Sequence, residues 1–172
     1  AGQHDQLAAR KAFRSVGPSQ NRTPAAPPPS GPEYLLVDGY NVIFAWDELK
    51  KIAAENLAAA RRRLMDILCN YAGYRKCVPI LVFDAYRVKG AGREQETWHN
   101  LHVIYTREAE TADMFIERAT HELAKNYRVR VVSSDGAEQI IILGNGALRV
   151  SARAFEREVR AVEAEIREFL DQ

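Results

Sequence analysis

Three aspartates stand where buried, strand-like runs of the sequence give out: Asp38 in LLVDGYN, Asp84 in LVFDAY and Asp135 in VVSSDGAEQ. A further pair, Glu110 and Asp113, lies in TREAETAD, around the start of a helical pattern. In an open parallel sheet all strand carboxyl ends lie on one edge, and ligands bind there. Acids gathered on that edge repel one another and raise each other's pKa. A hard divalent cation relieves this, because Mg²⁺ and Mn²⁺ prefer oxygen ligands. Two such ions about 3.5–4 Å apart can generate a hydroxide and stabilise a leaving oxygen in phosphodiester cleavage. The plainer alternative is that each Asp only caps a helix or forms a turn, as Asp often does, and that Asp113 only favours the first turn of its helix.

Other chemistries lack their residues. No G-x-G-x-x-G follows the first strand and no G-x-x-x-x-G-K-[ST] occurs, which excludes dinucleotide and P-loop binding. An aspartyl-nucleophile phosphatase wants a second Asp two residues after the first, and Tyr40 stands there. No G-x-S-x-G nucleophile elbow is present. His4, His99, His102 and His121 have no ligand spacing, and His121 reads as a surface residue.

The elements that must position the acids follow from hydrophobic pattern. Residues 34–38, 78–84, 101–106 and 129–134 are short apolar runs of strand type, and 147–150 reads as a small edge strand. Helices are expected over 55–72, ended by Gly73, over 111–126 with Thr111 as N-cap, over 136–143 ended by Gly144, and over 151–170. Residues 85–100 read as irregular. Continuous apolar strands alternating with helices predict a parallel sheet buried on both faces. The expected fold is therefore a three-layer, Rossmann-like α/β domain with a mainly parallel central sheet.

The 172 residues carry a formal net charge of +1, which excludes binding by bulk charge and leaves room for a local basic patch. Residues 18–32 hold six of the seven prolines, so 1–33 reads as a linker or the tail of an upstream domain without fixed structure, and 34–172 as the folded domain. Cys69 and Cys77 alone make neither a disulfide framework nor a zinc site, which favours a reducing compartment. No apolar run approaches a membrane span.

LLVDGYNVIF, LVFDAY followed by VKG, VIYTREAETADMFIERA and SSDGAEQIIILGNGALRV occur in that order, and together they resemble the NYN domain of the YacP-like family, a branch of the PIN-like nucleases. The resemblance spans about residues 34–170. It implies a metal-dependent endoribonuclease using Mg²⁺ or Mn²⁺, in a bacterial cytoplasm. Carried onto this chain, it makes Asp38, Asp84, Asp113 and Asp135 the metal-holding, catalytic acids, with Asn41 and Thr111 orienting ligands or water. Where relatives commonly have a histidine after FDA, this chain has Tyr86, so no histidine role carries over there. The family also occurs appended to translation-factor-like GTPases, which implies RNA, in a ribosome-associated context, as the partner.

Basic residues supply substrate logic. Arg87, Lys89 and Arg93 follow the Asp84 strand and could neutralise the phosphates of an RNA strand that the acids repel. Tyr86 and Trp98 could stack unpaired bases, or Trp98 could anchor the core. Arg61, Arg62 and Arg63 read as a solvated helix face. A catalytically weak RNA- or ribosome-binding module on the same fold is the competing reading. The apolar stripe Phe155, Val159, Val162, Ile166 and Phe169 is expected to pack on the domain's own sheet, leaving a monomer.

Overall fold

The computed structural model of the chain describes residues 31–84, 94–133, 141–142 and 146–172. Seven strands among them form one sheet: β1 (Tyr34–Asp38), β2 (Val78–Phe83), β3 (Glu94–Trp98), β4 (Leu101–Tyr105), β5 (Val129–Ser133), β6 (Ile141–Ile142) and β7 (Leu148–Ser151), in the order β3-β4-β2-β1-β5-β7-β6. The five inner strands run parallel, and β3 and β6 close the two edges antiparallel. The helices described are α1 (Gly39–Ala45), α2 (Asp47–Glu55), α3 (Leu57–Arg75), α4 (Ala112–Leu123) and α5 (Ala152–Leu170).

Strand periodicity divides the core in two. Leu35 and Val37 of β1 join Leu81, Phe83, Val103 and Val132 in a layer under α1, α2, α3 and α5. Leu36, between them in sequence, points the other way, with Val82 and Val131, into a smaller layer under α4. A continuous apolar run is thus consumed on both faces, as a central parallel strand requires. Helices on both faces make the domain a three-layer α/β fold.

Trp46 joins α1 to α2 and is fully buried. Its indole Nε1 donates to the Ala152 carbonyl at 2.7 Å, which pins the start of α5 to this corner. Phe155, Val159 and Val162 are buried in the core layer and Ile166 packs against it, while Phe169 at the end of the same stripe is 73% exposed. Val162→Ala is expected to cost about 2 kcal/mol by leaving a cavity, measured by urea unfolding, with no change of mass by light scattering.

Three expectations need correction. Residues 94–98, read as irregular, form the edge strand β3 paired antiparallel with β4. The short helix expected over 136–143 does not hold at 141–142, which form β6 against β7. That pairing also moves β7 from the edge to an inner position. Helix α3 runs past Gly73 and ends at Lys76, whose left-handed backbone (φ 56°) terminates it. The leader 1–30, residues 134–140 and Gly144 lie outside the described residues.

Candidate active site

β1 is the pivot of the sheet: the chain leaves it toward β2 and β4 on one side and returns to β5 and β7 on the other. The crevice at the carboxyl ends of β1 and β5 is therefore the topological switch point, where open α/β sheets bind ligands. Asp38 is the last residue of β1. It is only 5% exposed. Its carboxylate accepts from the Asn41 backbone N–H at 3.4 Å and from Asn41 Nδ2 at 2.5 Å. Asp38 is thus the N-cap of α1 and its orientation is fixed by Asn41.

Asp84 follows the end of β2 and does a different job. Its Oδ1 accepts from the Ala112 N–H at 2.6 Å, across 28 residues of sequence. Thr111 Oγ1 accepts from the Met114 N–H at 3.2 Å. Together these satisfy two amides that the first turn of α4 leaves without an intrahelical partner. They bind that turn to the sheet edge and bring Asp113, its second residue, beside the other acids. Thr111 is the N-cap of α4, as its place before the helical pattern predicted.

The electrostatics follow from burial. Desolvation pushes the Asp38 carboxyl up to about 6. The two hydrogen bonds from Asn41 work against that rise, and the negative charges of Asp84 and Asp113 add to it. Asp38 thus lies in the field of two of the other three acids expected at this edge. Asp135 lies outside the described residues, as do Tyr86, Arg87, Lys89 and Arg93. Among the described residues, no three Asp, Glu, His or Cys side chains stand close enough to hold a metal ion. The donor chemistry suits a hard divalent cation: the acids at this edge offer carboxylate oxygens only, and that of Asp38 is largely stripped of water.

Glu110 does not join this group. Its carboxylate pairs with Arg118 at 2.5 Å, and its backbone oxygen accepts from Thr106 Oγ1 at 2.7 Å. Trp98 packs against the core rather than standing free, and its indole N–H is buried without a partner among the described residues. Arg63 pairs with Glu48 at 2.8 Å, and Arg160 of α5 meets the other oxygen of Glu48 at 2.7 Å, so this arginine ties helices together. Arg61 donates to the Tyr40 hydroxyl at 3.2 Å.

Residues the sequence reading did not single out also border the crevice. A groove of about 940 Å³ opens along α4 from Asp113, lined by Met114, Arg118, Thr120, Val131, Ser133 and Arg149 among others. The one signal for it in the sequence is Met114, an apolar residue in the first turn of a helix whose core stripe it does not share.

No helix among the described residues is long and apolar enough to cross a membrane. The Bacillus subtilis (strain 168) protein named "Uncharacterized protein YacP" is 44% identical over 135 residues, covering 78% of this chain and 79% of its own. The crystal structure of Rae1 (YacP) from Bacillus subtilis superposes with a TM-score of 0.67 at 42% identity, covering 80% of this chain and 79% of that one. The crystal structure of a tryptophan-to-leucine mutant of the same Bacillus subtilis protein gives 0.65 at 40% identity, over 78% and 79%. The model of the YacP-like NYN domain matches residues 35–172. With a nuclease-like fold and that match over nearly all of the folded part, the chain belongs to the YacP-like NYN domain family.

Proposed function

We propose that the chain is a divalent-cation-dependent endoribonuclease acting on single-stranded RNA. The observation that carries this reading is Asp38: a buried carboxylate at the switch point, in the field of Asp84 and Asp113. Structural ion pairs bring acids together with bases; here acids meet acids, an arrangement that costs stability and marks functional sites. Asp38, Asp84 and Asp113, with Asp135, would hold Mg²⁺ or Mn²⁺. Such an ion, when bound, lowers the pKa of a water and neutralises charge on the phosphodiester.

The chain's own residues do the rest. Asn41 holds the Asp38 carboxylate in one orientation. Asp84 ties the α4 amino end to the edge. That helix end favours negative charge, so it suits a phosphate as well as the acids. Arg87, Lys89 and Arg93 guide the RNA strand past the acids. The setting proposed is the bacterial cytoplasm, with ribosome-associated mRNA as the substrate, a monomeric domain, and fusion to a translation-factor-like GTPase as one context.

A second reading is a catalytically weak RNA- or ribosome-binding module. It is favoured by the lack of three converging metal donors among the described residues. End-labelled single-stranded RNA incubated with Mn²⁺, or with EDTA, separates the two. Internal cleavage with Mn²⁺ and none with EDTA is expected. Binding without cleavage in Mn²⁺ selects the docking module instead.

A further inference from the structure

Among the described residues the two faces of the sheet are covered unequally. Four described helices sit over one layer and α4 alone over the other. Beside α4, above β5 and β7, this leaves the groove of about 940 Å³ that begins at Asp113. That volume is in the range of ligand sites. Its floor is apolar, from Ile116 and Val131. Met114 stands at the rim and is 55% exposed, an apolar side chain left in solvent beside the acids.

The walls are polar and cationic. Arg149 Nε donates to Ser133 Oγ at 2.8 Å, which fixes the guanidinium at the groove. Arg118, on the α4 wall, is paired with Glu110 yet 59% exposed in its side chain. The Thr120 hydroxyl in the same wall is buried and has no hydrogen-bond partner among the described residues. An apolar bed, an unsatisfied hydrogen-bonding group and flanking guanidinium groups, continuous with a site for phosphate chemistry, match one chemistry: a nucleotide, with a flat base, a polar edge and a phosphate.

We infer that this groove is a nucleotide subsite, taking one side of an RNA strand whose scissile phosphate lies at the acidic edge. This rests on the endoribonuclease reading above and adds where the strand runs and what contacts its bases. The base lies against Met114 and the floor, and Arg149 meets the adjoining phosphate.

Fluorescence anisotropy of a short labelled single-stranded RNA, in EDTA so that no cleavage intervenes, tests this on the full chain. Met114 is the third residue of α4, three after the Thr111 cap. Met114→Glu therefore completes a capping box and keeps the helix stable. It is expected to weaken RNA binding about tenfold by removing the apolar contact and adding a negative charge. Arg149→Gln is expected to lower the slope of log affinity against log salt by about 0.7, the value of one phosphate contact on a single strand. Circular dichroism melts of both variants check that the fold is kept. Wild-type binding with both variants unchanged in affinity and slope overturns the groove assignment and leaves the endoribonuclease reading standing. No RNA binding by the wild type, either in EDTA or with Ca²⁺ in place of Mn²⁺, overturns both.

Discussion

Asp38→Asn is expected to leave the metal-free protein more stable than the wild type at pH 7.5 and no more stable at about pH 4, while abolishing cation-dependent cleavage. The sign follows from burial, which raises the Asp38 carboxyl from 3.8 to about 6 in the folded chain. In the unfolded chain the group ionises near 3.9. Below that pH both states carry the proton and the charge costs nothing. As pH rises from about 4 to 6 the unfolded chain releases its proton first, so stability falls, and the full penalty is present above about 6. Asn removes the charge, and its side-chain oxygen can still cap α1. The gain at pH 7.5 is about 3 kcal/mol by this linkage, or roughly 6–12 °C in the unfolding midpoint. Melts in EDTA across this pH range check it. A variant destabilised at pH 7.5, or one that still cleaves with Mn²⁺, contradicts the role given to Asp38.

Gly39→Ala is the substitution expected to damage the fold most for its size. A Cβ at Gly39 would lie 2.2 Å from Cε1, 2.6 Å from Cδ1 and 2.9 Å from Cζ of Phe83. Phe83 has nowhere to go: it is fully buried, with the Tyr40 ring at 4.9 Å and the Tyr105 ring at 5.8 Å. Overpacking here costs about 3 kcal/mol. Because Gly39 follows Asp38 and opens α1, the strain also displaces the Asp38–Asn41 pair. Denaturant unfolding and the Mn²⁺ affinity of the folded fraction should both fall. Wild-type stability in Gly39→Ala would mean that the β1–α1 corner is looser than its packing implies.

This close approach also explains part of the DGYN motif in physical terms. The Asp supplies the charge and the cap. The Gly lets the chain pass over the Phe83 ring. The Asn holds the carboxylate from one helical turn away. The end of an apolar strand run made Asp38 a candidate, and the family resemblance made Asn41 one; the structure adds the hydrogen bonds that join them. Sequence spacing could not reveal that Asp84 ties down α4, since that hydrogen bond crosses 28 residues and the whole β3–β4 ribbon.

The inner strands were legible for the reason that makes them inner. Runs such as LLV and ILVF are apolar at every position, because both faces are covered. The edges were not. EQETW in β3 is polar in four of its five residues, so it offers no apolar run, and it is its pairing with β4 that makes it a strand. The run containing Ile141 and Ile142 is short and apolar, and such runs do not separate helix from strand by periodicity. Helices α1 and α2 escaped because both are short, and α2 buries only Leu49. The groove beside α4 was invisible for a different reason: its lining comes from α4, β5 and β7, segments far apart in sequence that no local pattern joins.

The claim that ties these observations together is that the strand-end acids form one divalent-cation site. Calorimetric titration of Mn²⁺ into the wild type, Asp38→Asn and Asp84→Asn at pH 7.5 tests it most directly. Saturable binding to the wild type that is lost in Asp38→Asn, and at least weakened in Asp84→Asn, is the predicted result. Equal binding by all three proteins, or none by the wild type, would contradict it.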